Sequence, residues 1–249
     1  MITALVLAGT RPGGDPLARE LGVAHKGLIK LNDRTLLERV VGSLREAGIE
    51  RIVVSCDDGE LLELAQQLGA ETIPPEPGPS ASVAAAFDSF GAPMIVTTSD
   101  HALLQPEWVR QLIDETPATA DLSVMLAERS LVEAAMPGTK RTYLRFADGQ
   151  WSGCNLFFLR TPAARKAIET WSMVEANRKR PWRIAARLGF GTLLMMLAGR
   201  LTLAEGLARL GRRIGIAAHL VPARDGLAAV DIDKLADLEA VRALRSISE

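Results

Sequence analysis

Cysteine is scarce in this chain, and the two cysteines present are poorly placed for cross-linking or metal binding. Among the 249 residues only Cys56 and Cys154 are cysteines, and they lie far apart in the sequence. A disulfide framework or a zinc site needs several cysteines at characteristic spacings, so neither is indicated. We therefore expect a protein of the reducing cytoplasm.

A basic leader and long apolar runs are also absent. The N-terminus lacks the positively charged stretch of a signal peptide, and no apolar run reaches the roughly 20 residues of a membrane-spanning helix. We therefore expect a soluble protein, or one that contacts a membrane only peripherally. With 48% hydrophobic residues and a net charge of −1, the chain can bury one sizeable core. We expect a single domain over residues 1–249.

The near-zero net charge conceals a basic segment. Between Arg178 and Arg213 there are nine lysines and arginines but only one acidic residue, Glu205. Nucleic-acid binding is not expected, because the only aromatic residues of this segment are Trp182 and Phe190 and no nucleic-acid-binding module is recognisable. The segment is instead predicted to be a helical basic insertion.

This predicted insertion, residues 176–214, allows more than one interpretation. Its apolar stretch Leu188–Gly199 is too short to span a bilayer but has the length of a helix lying in the membrane interface. Peripheral membrane contact through residues 182–200 is therefore one interpretation. We prefer the alternative, a helical subdomain or a homodimer contact that buries the stretch within protein.

Apolar strands and amphipathic helices alternate along the chain. This order is typical of an α/β fold with a mostly parallel sheet and helices on both faces. Helix starts are indicated by several capping signals. They are the capping-box pairs Thr35–Glu38 and Thr202–Glu205, the serines Ser80 or Ser82, and the pair Thr161-Pro162.

The most informative motif follows the first apolar strand, Ile2–Leu7. That strand leads into the glycine-rich loop Ala8-Gly9-Thr10-Arg11, and Lys26 precedes the next apolar run. Backbone N–H groups and cations in such a loop can surround a polyphosphate. The motif is neither the dinucleotide G-x-G-x-x-G fingerprint nor a P-loop. An ordinary strand-to-helix turn is the alternative.

Acidic residues follow two other strand-like segments. Asp100 ends a nearly continuous apolar run, where a carboxylate near a triphosphate is a natural Mg²⁺ ligand. It could equally cap the turn before Pro106. Alternation directs Asp231 and Asp233 to the same side, so both could face one metal, or Asp233 could cap the last helix.

Together these motifs resemble a known family. The stretch Leu7-Ala8-Gly9, the loop with Arg11, and Lys26 resemble the amino-terminal signature of MobA-like NTP transferases, although Thr10 replaces the usual second glycine. Ser99-Asp100 resembles the metal-binding Gly-Asp of that family, and the segment from Asp231 to Leu238 resembles its closing motif.

The resemblance implies a three-layer α/β/α, Rossmann-like fold of the GT-A type, and Mg²⁺-dependent transfer of NMP from an NTP, with CTP or GTP expected. It implies that Arg11 and Lys26 neutralise phosphate charge and act in catalysis with Asp100. Asp100 and Asp233, with Asp231 as a further candidate, would hold Mg²⁺. The residues implied to contact the nucleotide are Leu7, Ala8, Gly9, Thr10, Gly78, Ser80 and Ser82.

The partner of the NTP is predicted to be a small phosphorylated acceptor, with pyrophosphate as the second product. Lys140, Arg141 and Asn155 are candidate acceptor contacts, although a basic pair in a loop is often simply solvated. Residues 1–105 would form the NTP-binding half and residues 106–249 the acceptor-side half. A product for lipid head-group or cofactor synthesis fits this interpretation.

Two other functions remain open from the sequence. A GT-A glycosyltransferase would use a sugar nucleotide, but it normally carries Asp-x-Asp where this chain has Ser99-Asp100-His101. A non-catalytic nucleotide-binding or membrane-peripheral protein would tolerate the loss of Asp100.

Overall fold

Eight of the ten strands in the described part of the chain form one large mixed sheet. The computed structural model describes residues 1–10, 13–57, 59–177, 191, 195 and 199–246. Within them the strands are β1 (Thr3–Ala8), β2 (Lys30–Leu31), β3 (Arg34–Thr35), β4 (Arg51–Cys56), β5 (Glu71–Ile73), β6 (Met94–Thr98), β7 (Leu122–Glu128), β8 (Leu144–Phe146), β9 (Gly149–Leu159) and β10 (Ala218–Pro222).

Nine α-helices belong to the same described part of the chain. They are α1 (Pro16–Glu20), α2 (Leu36–Glu46), α3 (Glu60–Gln67), α4 (Pro79–Phe90), α5 (Pro106–Asp114), α6 (Arg129–Ala135), α7 (Arg165–Ala176), α8 (Leu203–Ile214) and α9 (Leu235–Ser246). Short 3₁₀ turns cover Lys26–Leu28, Pro162–Ala164 and Gly226–Ala229.

The large sheet has the strand order β10-β7-β9-β6-β1-β4-β5, with β8 paired to the outer part of β9. Strands β5, β4, β1 and β6 are parallel neighbours, and β10 is parallel to β7. Strand β9 runs antiparallel to its neighbours β6, β7 and β8. The small strands β2 and β3 form a separate antiparallel pair.

Helices cover both faces of this sheet. Alternate residues of β1 enter different apolar clusters: Ala4 and Val6 pack with α2, α3 and α5, whereas Leu5 packs with α4 and α7. Side chains of successive strand residues point to opposite faces, so the two clusters lie on opposite sides of the sheet. The predicted three-layer α/β fold is confirmed.

Two predicted helix starts are confirmed and two are wrong in detail. Thr35 and Glu38 form a capping box on α2, and Thr202 and Glu205 form one on α8. The predicted caps Ser80 and Ser82 do not cap α4. Its N-cap is Gly78, so no side chain caps the start of this helix.

The second wrong cap is that of Thr161. It precedes a 3₁₀ turn, not α7 directly, and its hydroxyl donates to Oδ1 of Asp121 at 2.5 Å. Asp121 lies just before β7, so this side chain ties two loops together and leaves the helix start without a side-chain cap.

Residues 178–190, 192–194 and 196–198 of the predicted basic insertion lie outside the described residues, and they include most of the predicted membrane segment. Of the segment 182–200, the structure describes positions 191, 195, 199 and 200. Among the helices that are described, none has the length and apolarity needed to cross a membrane.

Candidate active site

The candidate site lies where the parallel strands β1 and β6 end. The backbone N–H of Ser99, which follows β6, donates to the Leu7 carbonyl of β1 at 2.9 Å. The N–H of Ile232 donates to the Asp100 carbonyl at 3.2 Å and brings the C-terminal acidic segment to the same edge. The carboxyl edge of a parallel sheet is the usual place for a ligand in open α/β folds.

Lys26 lies between two carboxylates at this edge. Its Nζ is 2.8 Å from Oδ2 of Asp100 and 2.7 Å from Oδ1 of Asp233. The Lys26 side chain is 10% exposed, that of Asp100 is 20% exposed, and that of Asp233 is 57% exposed. The sequence also allows Asp233 as the cap of the last helix. In the structure its carboxylate contacts Lys26. At the start of α9 the carboxylate of Asp237 accepts from the N–H groups of Asp233 and Lys234.

These contacts favour the charged forms of Lys26 and Asp100. Burial alone would lower the pKa of Lys26, but attraction to Asp100 and hydrogen bonds to both carboxylates raise it above its ordinary value. Burial would raise the pKa of Asp100, but Lys26 and a hydrogen bond from Thr98 lower it. At neutral pH a charged ammonium thus faces an ionised Asp100.

A second cluster lies beside the first. Asp231 accepts a hydrogen bond from Nδ2 of Asn155 at 2.9 Å and forms an ion pair with Arg141. Both side chains of that ion pair are 12% exposed. Burial raises the pKa of Asp231, Asp233 and Asp100 raise it further, and Arg141 opposes the rise. Asn155 has a φ of 47°, a left-handed backbone conformation that few non-glycine residues adopt.

A cavity of about 440 Å³ opens next to this cluster. Its volume falls in the range of small-molecule sites. All three predicted acceptor residues line it, together with both aspartates of the C-terminal motif. The lining residues are Lys140, Arg141, Thr142, Leu144, Trp151, Ser152, Gly153, Asn155, Asp231 and Asp233.

The glycine-rich loop is held in place on both sides. A Cβ at Gly9 would lie 3.0 Å from Cβ of Pro75, so this glycine permits close packing of the two loops. The N–H of Thr10 donates to Oδ2 of Asp57 at 3.0 Å. Leu7 and Ala8 belong to β1, and the predicted catalytic residue Arg11 lies outside the described residues.

The predicted nucleotide contacts Gly78, Ser80 and Ser82 lie at the start of α4. The loop that leads into α4 contains Pro75, which packs against Gly9. Ser80 donates from Oγ to Oε2 of Glu175 at 2.5 Å, and a Cβ at Gly78 would lie 2.5 Å from the other oxygen of Glu175. Ser82 accepts at Oγ from the N–H of Glu76 at 2.9 Å. The loop is therefore shaped by a carboxylate from α7.

Three residues of this region were missed by the sequence reasoning. Asp57 directly follows β4, whose end lies beside that of β1, so the logic that selected Asp100 would also have found it. His25 directly precedes the predicted site residue Lys26, and this adjacency is the signal that could have found it. Glu175 is 95 residues from Ser80 and gives no local signal.

The acidic residues suit a divalent cation of the magnesium type. Among the described residues no group of three or more His, Cys, Asp or Glu side chains forms a ready-made metal cluster. Asp100 and Asp233 nevertheless both contact the same Nζ atom, so their oxygens converge on one place. Mg²⁺ is usually bound by one or two carboxylates, with water and substrate phosphates completing its shell. This pair fits that requirement.

Several solved structures are similar to this chain. A solved structure described as a hypothetical transferase from Thermus thermophilus is 31% identical, with a TM-score of 0.82 over 96% of this chain and 100% of that chain. A synthetase of CMP:2-keto-3-deoxy-manno-octonic acid in complex with CTP is 17% identical, with a TM-score of 0.59 over 100% of this chain and 99% of that chain.

A third similar structure is the 2-C-methyl-D-erythritol 4-phosphate cytidylyltransferase of Thermus thermophilus, which is 14% identical with a TM-score of 0.55. The similarity covers 99% of this chain and 100% of that chain. At such identities these last two structures support the fold alone. Among curated proteins none matches the chain at a significant level.

The sequence also matches the profile of the MobA-like NTP transferase domain over residues 4–183. This match contains the glycine-rich loop, Lys26, Asp100 and the acceptor candidates, and it covers well over half of the chain. The chain therefore belongs to the MobA-like NTP transferase family of nucleotidyltransferases.

Proposed function

We propose that this protein transfers NMP from an NTP to a small phosphorylated acceptor in a Mg²⁺-dependent reaction. The observation that carries the proposal is the contact of Lys26 with both Asp100 and Asp233 at the end of β1 and β6. An acceptor phosphate oxygen attacks the α-phosphorus, the bond from that phosphorus to the bridging oxygen breaks, and pyrophosphate leaves. The metal would supply charge neutralisation at the phosphates.

The residues of the NTP-binding half, 1–105, have distinct roles in this proposal. The backbone of Leu7, Ala8, Gly9 and Thr10 holds the base and sugar. Lys26 stays charged at neutral pH despite its burial, because Asp100 and Asp233 more than offset the lowering of its pKa by burial. It can therefore neutralise charge on the phosphates as the α-phosphorus is attacked. Arg11 is proposed to act with it. Asp100 and Asp233 hold the cation, and Asp231 is a further candidate ligand.

The acceptor-side half, 106–249, is proposed to hold the acceptor in the 440 Å³ cavity. Arg141 is already paired with Asp231, so Lys140 is the lining cation better placed to meet an acceptor phosphate. Nδ2 of Asn155 donates one of its two N–H groups to Asp231, so the other can donate to a hydroxyl or phosphate oxygen of the acceptor. The size of the cavity favours a compact acceptor over a polymer.

CTP is the nucleotide to test first, with GTP second. Two structures with the same fold are described as a synthetase in complex with CTP and a cytidylyltransferase. Their low identity makes this a guide to the choice of substrate only.

The test is pyrophosphate release with each of the four NTPs, Mg²⁺ and a panel of phosphorylated sugars, polyols and alcohols. We expect turnover with one NTP and one acceptor class, and its loss in Asp100→Asn. Asp114→Asn is the matched control, because Asp114 is an exposed carboxylate at the end of α5. Undiminished turnover in Asp100→Asn would contradict the metal assignment, and turnover of sugar nucleotides in place of NTPs would contradict the reaction.

A further inference from the structure

His25 occupies a buried position immediately before Lys26. It is the N-cap of the 3₁₀ turn Lys26–Leu28, and only 9% of its surface is exposed. Its Nδ1 accepts a hydrogen bond from the N–H of Gly27 at 2.8 Å. The imidazole thus closes the turn that presents the Lys26 side chain.

The same ring also lies close to β1. Burial lowers the pKa of His25, and the backbone of Ala8, the last residue of β1, opposes this lowering. Because Nδ1 accepts from an amide N–H, a neutral His25 carries its proton on Nε2. One buried imidazole therefore lies between the end of β1, where the glycine-rich loop begins, and the turn of Lys26.

The turn has little room to move away from this ring. A Cβ at Gly27 would lie 2.9 Å from Cδ1 of Leu61 and 3.2 Å from Nδ1 of His25. The backbone of Gly27 is thus packed between α3 and the imidazole. With the ring removed, the turn loses its side-chain hydrogen bond and its contact to β1 on one side.

We infer that His25 is a positioning residue that fixes the Lys26 ammonium relative to the glycine-rich loop. The inference rests on the proposed function, because it assigns His25 an effect on nucleotidyl transfer through Lys26. A displacement of about 1 Å in a charge-stabilising group can cost about 100-fold in rate. His25 touches no reacting atom in this arrangement and acts only by holding the turn.

Two substitutions separate the two halves of the imidazole. The side-chain amide of Asn ends near the place of Nδ1, whereas that of Gln reaches the place of Nε2. His25→Asn can therefore accept from the Gly27 N–H, and His25→Gln keeps a polar group on the side of Ala8. His25→Ala keeps neither group.

We expect His25→Ala to lower kcat about 100-fold and to change KM for the NTP by less than about threefold. His25→Asn should recover most of the loss and His25→Gln little of it, since the Gly27 contact sets the turn. In the double variant with Lys26→Met, His25→Ala should add no further loss, because two residues acting through one ammonium are not additive. Additive effects, or kcat within twofold of the unsubstituted protein in His25→Ala, would overturn the inference.

A second measurement tests, without an activity assay, whether His25 holds the turn of Lys26. Amide hydrogen exchange at Gly27 in the free protein should be slow in the unsubstituted protein and in His25→Asn, and faster in His25→Gln and His25→Ala. Equal exchange in all four proteins would show that the ring does not hold the turn. If the unsubstituted protein turns over no NTP, the proposed function fails, and the exchange pattern still supports or overturns the placement of the turn.

Discussion

Nζ of Lys26 donates to Oδ1 of Asp233 at 2.7 Å across 207 residues of sequence. The same ammonium contacts Asp100 at the end of β6. One lysine therefore joins the start of the chain, its middle and its C-terminal segment at a single edge of the sheet. A substitution of Lys26 therefore tests the contact between these three segments of the chain.

The first prediction concerns the charge of Lys26. Lys26→Met should lower kcat/KM for nucleotidyl transfer by about 100- to 1,000-fold, the loss typical of one preorganised charge-stabilising donor. It also leaves Asp100 and Asp233 facing each other without their shared cation. The measurement is steady-state pyrophosphate release. Lys30→Met is the control, since Lys30 is exposed on β2 and its loss should leave the rate unchanged.

The second prediction concerns the cation. Asp233→Asn should raise the Mg²⁺ concentration that gives half-maximal activity more than tenfold, since even residues that only support metal ligands change affinity by about 10- to 100-fold. Asparagine preserves volume and an acceptor for Lys26 while removing the charge. A Mg²⁺ titration of activity checks this, with Asp114→Asn as control. An unchanged Mg²⁺ dependence would remove Asp233 from the metal site.

The third prediction concerns the ion pair Arg141–Asp231. Removing Arg141 as Arg141→Met leaves a mostly buried carboxylate unpaired, so the free energy of unfolding should fall by about 3 kcal/mol. Adding Asp231→Asn should restore part of it. The more exposed pair Arg51–Glu71 is the matched control, and Arg51→Met should cost much less than Arg141→Met. Urea unfolding measures all four proteins, and equal costs at Arg141 and Arg51 would contradict the prediction.

The fourth prediction concerns the start of α2. The Thr35 hydroxyl accepts from the N–H of Glu38 at 3.2 Å, and the Glu38 carboxylate accepts from the N–H of Thr35 at 2.6 Å. Thr35→Ala should therefore lower the free energy of unfolding by about 1 kcal/mol. Thr35→Ser keeps the hydroxyl and should cost less. Equal unfolding curves for Thr35→Ala and the unsubstituted protein would show that the capping box adds no stability.

The fifth prediction concerns pH. Burial lowers the pKa of His101 to about 4, so below the ordinary value of about 6.5 the unfolded chain binds more protons than the folded one. The contribution of this group to stability is complete above about pH 6.5 and is lost as the pH falls toward 4. Between pH 6.5 and 5 we expect the free energy of unfolding to fall by roughly 2 kcal/mol from this group.

His101→Phe is the variant that isolates this effect. The His101 ring stacks on Trp108 at a centroid distance of 5.9 Å, and phenylalanine keeps a ring there without titrating. The slope of stability against pH should be shallower in this variant. His25, whose pKa burial also lowers, and Asp231, whose pKa shift has the opposite sign, titrate in both proteins and cancel in the comparison. Identical slopes would show that His101 does not titrate as described.

Local signals allowed much of this fold to be predicted. The apolar run before Gly9, the run before Asp100 and the capping box at Thr35 each depend on neighbours within a few residues, and each prediction matches the structure. The pairing of β9 between β6 and β7 depends on strands far apart in the chain, which no local pattern encodes. The fold class itself follows from periodicity.

The start of α4 shows why other predictions failed. Serine is a preferred N-cap residue, but Gly78, with a φ of 107°, is the N-cap of α4. Ser80 instead donates a hydrogen bond to Glu175 of α7. A contact between residues so distant in sequence replaced a local preference. The resemblance predicts Lys26, Asp100 and Asp233 as site residues, whereas their direct contact depends on tertiary structure and has no local signal.

The reversed direction of β9 has a consequence for how specificity can change. Its second half pairs with both β6 and β7, while its first half pairs with β7 and β8 and lines the 440 Å³ cavity. A slip of one residue along β9 would turn Gly153 and Asn155 to the opposite face, so insertions there are costly. The β8–β9 turn at Asp148-Gly149 has no such constraint from the centre of the sheet. Under the proposed function, exchange of that hairpin between relatives is thus a route by which a new acceptor can be adopted without moving Lys26 or Asp100.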